Sequence, residues 1–378
     1  MKITFFSIAM SVLWGSILMI LYAALRKRYR LIDICSVSGV IILYLFCAIR
    51  MLCPIEFPWV RVIPAEHIFN TVYLAIRTNI GNTGLKAYHI AVAVWMLGTL
   101  LGLVWLVIRY RKQGQIIEEQ ISQGRIIDAT QYDIADSSVR IIRTPAIQVP
   151  MSFGIIKKRI LLPEGVYSYV EEKLIINHEY MHLRNYDLVV QMLINIFCAI
   201  YWWNPFAYLL RLNLEQYFEL RCDSNVTKNM TDSQIADYLE LLLKVYRYEK
   251  TRKVSKVGLG LLGTHIRSGQ NIKERFIVLA RWKGKKERNV GKITAIIIAG
   301  VLMVLSYSFI FQSNYEMPEI EILKDTGAFE IDQDNSYLLE KRTGSYVWIT
   351  DNGFEHEVSP DVANMLINEG FKVIKEEK

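Results

Sequence analysis

Long apolar runs separated by charged segments set the pattern of this chain. Four of them have about the length that a helix needs to cross roughly 30 Å of hydrocarbon, and they occupy residues 3–25, 31–53, 88–108 and 293–311. We therefore predict at least four membrane spans. A signal peptide is the alternative for the first run, but its length and the basic cluster that follows it favour a retained anchor; that cluster is Arg26, Lys27, Arg28 and Arg30.

Composition and charge support a membrane protein with polar parts. The chain is 52% hydrophobic and 21% charged, which is too apolar for an ordinary soluble protein. Residues 211–292 hold 18 Lys and Arg against 9 acids, whereas residues 313–378 hold 6 against 15. By the positive-inside rule, the basic region is cytoplasmic and the acidic tail is extracellular. Because the positive charge is segregated in this way, we expect lipid contacts and no direct nucleic-acid binding.

A metal-binding motif lies between the third and fourth runs. His178 and His182 are four residues apart, so on a helix both imidazoles project from one face towards one Zn²⁺, with Glu179 beside the activated water. Ser168 and Glu171 form a capping box, which predicts a helix over residues 169–184.

A third ligand is needed, because catalytic zinc takes three protein ligands and one open position. The candidate is Glu219, and Asp223, one helical turn later, would accept the free N–H of a ligand histidine. A solvated helix face is the alternative for this pair. For Cys222, a buried structural thiol is favoured over a ligand.

The apolar stretch at 188–212 must bring His178 and Glu219 to the same side of the membrane. It is interrupted at Asn204-Pro205, where proline breaks a helix. A single complete crossing would separate the two ligands, so we predict either a hairpin that enters and returns or an interfacial segment.

Short β-prone runs lie before the motif, at residues 139–143, 146–149 and 160–162. Such strands beside a metallopeptidase helix can bind an extended substrate along their edge. A merely structural sheet is the other interpretation.

Together these motifs resemble the BlaR/MecR-type membrane zinc metallopeptidases, which include bacterial antibiotic-sensor transducers. The resemblance is carried by Pro145, Ser152-Phe153-Gly154, Ile160 to Pro163, the HExxH at 178–182, Asp187, Tyr201-Trp202, Asn204-Pro205 and Glu219 to Asp223. It implies a gluzincin-type Zn²⁺ site facing the cytoplasm, with His178, His182 and Glu219 as ligands, Glu179 as base, and Asp223 and Asp187 as supporting residues. It also implies a signal sensed outside, self-cleavage, and loss of a winged-helix repressor.

The tail departs from the β-lactam sensors of that family. None of its serines is followed three positions later by lysine, so we expect no penicillin-binding sensor domain and no covalent sensing by this chain. Residues 346–350 predict a strand, Asp351-Asn352-Gly353 a turn and residues 359–370 a helix.

The predicted fold is mainly α: multi-pass transmembrane helices, a cytoplasm-facing gluzincin-like metallopeptidase domain of α+β type, and a short extracellular α+β tail. The predicted divisions are 1–110 (three spans), 111–230 (metallopeptidase, with the 188–212 hairpin), 231–292 (basic cytoplasmic region), 293–311 (span) and 312–378 (tail).

The predicted function is a signal-transducing membrane zinc metalloprotease that cleaves itself or leads to cleavage of a cytoplasmic repressor. We expect self-cleavage within residues 249–292, at the apolar stretch Gly258 to Gly263; a linker lying on anionic lipid is the alternative. Two other functions stay open, a quality-control metallopeptidase and a non-catalytic sensor scaffold. Expected partners are a protein substrate and the bilayer, and a homodimer is open.

Overall fold

The protein is mainly helical in the computed structural model. The structure describes residues 4–26, 30–64, 86–251, 269–282, 289–312, 336–341, 345–350, 355–368 and 370–375. The chain divides into two compact units, Met1–Ser313 and Asn314–Lys378. The predicted cleavage stretch at 258–263, the turn at 351–353 and the basic residues Lys27 and Arg28 lie outside the described residues.

The helices of the first unit carry the membrane-type segments and the metal motif. In chain order they are α1 (Phe5–Arg26), α2 (Arg30–Leu52), α3 (Ala87–Ser122), α4 (Tyr169–Arg184), α5 (Asp187–Ile200), α6 (Pro205–Val226), α7 (Asp232–Thr251), α8 (Gly269–Trp282) and α9 (Asn289–Ser308). Within the described residues, α1, α2, α3 and α9 are long and apolar enough to cross a membrane. The bent pair α4 and α5 meets the same test as a broken span or re-entrant segment.

Two of the predicted spans differ from the structure at their ends. Helix α3 continues to Ser122 without a break at the predicted boundary of residue 110, because its last part packs Ile117 into a buried cluster with Ile142 and Leu161. Helix α9 stops at Ser308, and the last residues of the predicted span form strand Phe309–Gln312, which pairs in parallel with Arg61–Pro64.

A four-stranded sheet packs beside the motif helix. Its strands are Arg125–Ile127, Arg140–Arg143, Met151–Phe153 and Arg159–Leu162, and Met151–Phe153 lies at one edge of the sheet. The predicted strand at 146–149 is wrong. Ile147 and Val149 are buried there, so their apolar character reflects core packing in a turn, and the strand begins after Pro150.

Helices α5 and α6 form an antiparallel hairpin. Contacts between the two helices join positions progressively farther from the turn: Cys198 donates to the Ala207 carbonyl at 3.3 Å, and Gln191 donates to Glu215 at 3.4 Å. Asp187, the first residue of α5, pairs with Arg221.

The turn of this hairpin reaches the far ends of the spans. The Tyr201 hydroxyl donates to the Met51 carbonyl at 2.6 Å, at the end of α2, and Trp95, near the start of α3, donates to the Ile200 carbonyl at 2.9 Å. Arg26, the last residue of α1, donates to Asn213 in the middle of α6, so α6 also packs beside the first of these helices. The structure therefore shows an antiparallel hairpin that runs alongside the apolar helices, and its entry into the membrane stays a prediction.

The second unit is a small α+β fold. Its four strands are Ser336–Glu340, Tyr346–Thr350, Glu355–Val358 and Lys372–Lys375, and its helix is Pro360–Asn368. The last strand pairs with the first in parallel, and Leu338, Val347 and Ala363 are buried in its core. The predicted strand at 346–350 and the predicted helix near 359–370 are both present.

Candidate metal centre

Helices α4 and α6 bring the three predicted ligands together. His178 and His182 lie one turn apart on α4, and Glu219 reaches them from α6. All three side chains are buried, and one ligand atom from each lies within 4.8 Å of the others. Ser168 caps the start of helix α4: its side chain accepts from the Glu171 amide, while the Glu171 carboxylate accepts from the Ser168 amide. This cap fixes the first turn of the helix that holds the histidines.

The spacing of these atoms fits one zinc ion. His178 Nε2 lies 3.3 Å from His182 Nε2, and Glu219 oxygens lie 3.4 Å from the first and 3.5 Å from the second. With metal–ligand bonds of about 2.0–2.1 Å, tetrahedral geometry places ligand atoms about 3.3–3.4 Å apart. In addition, Glu219 Oε2 is buried without a hydrogen-bond partner among the residues that the structure describes. The donor set of two imidazoles and one carboxylate therefore fits Zn²⁺.

Formal charge gives a second test of the fit. Four buried carboxylates belong to the cluster: Glu179, Asp187, Glu219 and Asp223. Two guanidinium groups pair with them, those of Arg221 and Arg275. With both histidines neutral, as ligation requires, the formal charge of the cluster is about minus two. One divalent cation neutralises it.

His178 is held by a carboxylate and a hydroxyl. The Tyr238 hydroxyl donates to Asp223 Oδ1 at 2.8 Å; His178 Nδ1 lies 2.9 Å from that hydroxyl and 3.2 Å from Asp223 Oδ1. A proton on Nδ1 is shared between these acceptors, which leaves Nε2 free for a metal. Burial lowers the pKa of His178, but the Asp223 and Glu219 carboxylates outweigh it and raise the pKa to about 10.

His182 has an equivalent support on the other side. Its Nδ1 lies 2.8 Å from Asp187 Oδ2, and Asp187 is fully buried and paired with Arg221. The Cys222 sulfur lies 3.3 Å from the same ring nitrogen, so it packs behind the imidazole and away from the Nε2 side. Burial raises the pKa of the Cys222 thiol well above its usual value. His182, Asp187 and Cys222 nevertheless form a second group with metal-ligand spacing.

Two residues of the centre were missed by sequence reasoning. Tyr238 comes from α7, and Arg275 comes from α8, where it is 2% exposed. Arg275 donates to both Asp223 oxygens at 2.6 Å. Burial raises the pKa of Asp223, but Arg275 and His178 outweigh it and hold the pKa well below its usual value. Burial acts on Glu219 in the same way, and His178 and Arg275 lower its pKa to about 2.

A cleft opens on the centre. Glu179 is buried and lines this cleft beside His178 and Glu219. The remaining lining is largely aliphatic; it comprises Val149, Pro150, Ile175, Leu241, Leu242 and Val245, with Tyr238 and Arg275. Val149 and Pro150 immediately precede the edge strand Met151–Phe153. The cleft therefore joins the candidate metal centre to a sheet edge.

Comparison with known proteins gives a consistent set of relatives. Residues 40–279 match the family described as BlaR1 peptidase M56. The methicillin resistance mecR1 protein of Staphylococcus aureus (strain Mu50) is 27% identical over 242 residues, which is 61% of this chain and 40% of that protein. The regulatory protein BlaR1 of Bacillus licheniformis is 27% identical over 160 residues, 40% of this chain and 27% of that protein.

The BlaR1 of Staphylococcus aureus is 24% identical over 282 residues, 71% of this chain and 45% of that protein. The match with each of these three relatives covers less than half of the relative's length. All the residues of the candidate metal centre fall within the family match.

Proposed function

Because this chain belongs to the BlaR1 peptidase M56 family, we propose that it is a membrane-embedded zinc metalloprotease of the gluzincin type that transduces an extracellular signal, such as cell-wall stress. The four apolar helices and the family together indicate a membrane protein. The names of the relatives, a methicillin resistance protein and regulatory proteins, point to an antibiotic response.

One observation carries the proposal. Three buried donor groups from two helices converge at the spacing of a tetrahedral zinc site, and Glu179 lines the cleft beside them. A closed structural zinc site has four protein ligands. Here the three ligands face a cleft, which leaves room for water and a substrate carbonyl.

The side chains divide the work of peptide hydrolysis. When bound, zinc activates a water molecule, whose pKa falls towards about 7, and polarises the scissile carbonyl. Glu179 accepts the proton of the attacking water and returns it to the leaving amine nitrogen. Asp223 with Tyr238, and Asp187 with Arg221, orient the two imidazoles from behind. The aliphatic lining of the cleft lowers the polarity around the reacting groups.

The substrate is an extended segment of a protein. Strand Met151–Phe153 lies at one edge of its sheet, and we propose that an extended peptide binds alongside the start of this strand. The residues before this strand line the cleft that holds Glu179, which favours a substrate-binding edge over a merely structural sheet.

Regulation is proposed to act through cleavage of the chain itself, of a cytoplasmic winged-helix repressor, or of both. The glycine-rich stretch at 258–263 is the proposed self-cleavage site, because it is apolar and lies between α7 and α8, the two helices that contribute Tyr238 and Arg275 to the centre. By the positive-inside rule, we propose that the metal centre lies at the cytoplasmic face and the acidic tail outside.

The test is to compare fragments of the full chain in membranes with and without cell-wall antibiotics. Wild-type protein should give a fragment that ends within residues 252–268, and Glu179→Ala should give none. The control is Glu164→Ala, which removes an exposed carboxylate and should leave the fragment unchanged. Persistence of the fragment in purified Glu179→Ala protein would refute the proposal. Cleavage of unrelated unfolded membrane proteins, independent of antibiotics, would favour quality control.

A further inference from the structure

Helix α8 inserts a charged side chain into the metal centre from a region that has no metal motif. Arg275 is 2% exposed and donates through Nε and Nη2 to the two oxygens of Asp223, each at 2.6 Å. A guanidinium group that binds a carboxylate in this two-point manner fixes the plane of the carboxylate as well as its position. Asp223 in turn orients the imidazole of His178.

The same guanidinium reaches the third candidate ligand. Arg275 Nη1 lies 3.2 Å from Glu219 Oε2, and within the described part of the chain neither atom completes a hydrogen bond. Glu219 Oε2 is also the oxygen 3.4 Å from His178 Nε2. Arg275 therefore attracts the Glu219 carboxylate electrostatically without forming a hydrogen bond to Oε2. This oxygen is still able to bind a cation. Without Arg275, Glu219 and Asp223 would lose the guanidinium that they share.

A second contact ties α8 to a membrane helix. Glu274, the neighbour of Arg275, forms a two-point ion pair with Arg26, the last residue of α1. Arg26 also donates to Asn213 of α6, six residues before Glu219. Both Arg26 and Glu274 are largely buried, at 16% and 12% exposure. The end of α1 thus bridges the helix that carries Glu219 and the helix that carries Arg275.

We propose that Arg275 is a positioning residue for the metal centre. Helix α8 then connects membrane helix α1 to the zinc ligands, so metal affinity depends on the Arg26–Glu274 contact. A displacement of α1 along or about its axis changes the separation of α6 and α8, because Arg26 holds both. Such a change moves Arg275 relative to Asp223 and Glu219. This inference deepens the proposed function and rests on it for the identity of the metal.

Zinc affinity of the purified full chain, measured by competition with a chromophoric chelator, tests the positioning role. Groups that orient metal ligands contribute about 10–100-fold to metal affinity, so Arg275→Met should bind zinc about 10–100-fold more weakly. Arg275→Lys, which keeps the charge, should recover part of the loss. The matched control is Arg281→Gln on the same helix: Arg281 pairs with Asp33 of α2 at 2.8 Å but is 52% exposed, so affinity should stay within about twofold.

A charge reversal tests the link to the membrane helix. Arg26→Glu and Glu274→Arg should each weaken zinc binding by about fivefold or more, and the double variant should return to within about twofold of wild type if the contact itself carries the coupling. Thermal unfolding of the zinc-free proteins shows whether each variant folds. If Arg275→Met does not fold, the zinc affinities of the Arg26→Glu, Glu274→Arg and double variants alone decide whether the inference holds.

The outcomes separate the two proposals. Failure of the wild-type chain to bind zinc would overturn the proposed function and this inference with it. Normal binding by the wild type and an unchanged affinity in folded Arg275→Met would overturn the inference alone. A double variant Arg26→Glu, Glu274→Arg whose loss of zinc affinity equals the sum of the two single losses in free energy would also overturn the inference.

Discussion

Removal of the Tyr238 hydroxyl should weaken zinc binding without disrupting the fold. Tyr238 is 1% exposed, and its hydroxyl contacts both His178 Nδ1 and Asp223 Oδ1, at 2.9 and 2.8 Å. In Tyr238→Phe the ring still fills its place in the core, so the change removes the two polar contacts and little packing. His178 Nδ1 then keeps its 3.2 Å contact with Asp223.

The size of the effect follows from these contacts. A hydrogen bond to a charged group contributes about 1.5–3 kcal/mol. Asp223 keeps both bonds from Arg275, so the loss falls at the lower end, at about 1.5 kcal/mol. Because about 1.4 kcal/mol corresponds to a tenfold change in a binding constant, zinc affinity should fall about tenfold.

Chelator competition on wild-type and Tyr238→Phe protein measures this directly. Tyr132→Phe is the matched control, because it also removes a buried hydroxyl that donates to a carboxylate, that of Glu172, away from the metal centre. We expect no change in zinc affinity for the control. An affinity within twofold of wild type for Tyr238→Phe, or an equal loss in both variants, would refute the reasoning.

Four further predictions follow from the same structure. Asp187→Asn removes the acceptor that orients His182 and should weaken zinc binding by about 10–100-fold in the same assay; an unchanged affinity would contradict this role. Because the Asp223 and Glu219 carboxylates raise the pKa of His178 to about 10, zinc must displace a proton from this imidazole at neutral pH. Affinity should therefore rise about tenfold per pH unit for one proton released; calorimetry in buffers of different ionisation enthalpy would show no proton release if this is wrong. Asn204→Ala removes the side-chain cap that accepts from the Phe206 amide. It should lower the free energy of unfolding by about 1 kcal/mol and leave zinc affinity unchanged; an unchanged melting temperature would contradict the stabilising role of the cap. Ser359→Cys should react with an impermeant maleimide on intact cells, whereas Ser137→Cys should react only after permeabilisation; both positions are exposed. The reverse pattern would show that the membrane orientation is opposite to the proposed one.

The local part of the metal centre could be predicted from sequence. The i, i+4 spacing of His178 and His182, and of Glu219 and Asp223, places each pair on one face of a helix, and a capping box marks where the first helix begins. The return of the apolar segment at Asn204-Pro205 could also be anticipated, because both ends had to reach one metal.

The parts that depend on distant packing could not be predicted. Tyr238 follows Asp223 by fifteen positions and has no ligand-like spacing, and Arg275 is one of 18 basic residues in the 211–292 region. Only the docking of α7 and α8 shows that these two side chains are buried at the centre. The strand predicted at residues 146–149 is wrong for a related reason, because apolar side chains can fill the core from a turn as well as from a strand.

Zinc K-edge X-ray absorption of the purified full chain tests the central claim most directly. Ligation by His178, His182 and Glu219 predicts a shell of nitrogen and oxygen at about 2.0–2.1 Å with imidazole scattering and no sulfur. The neighbouring group of His182, Asp187 and Cys222 would instead give one sulfur at about 2.3 Å. A sulfur shell, or a shell without imidazole, would contradict the account.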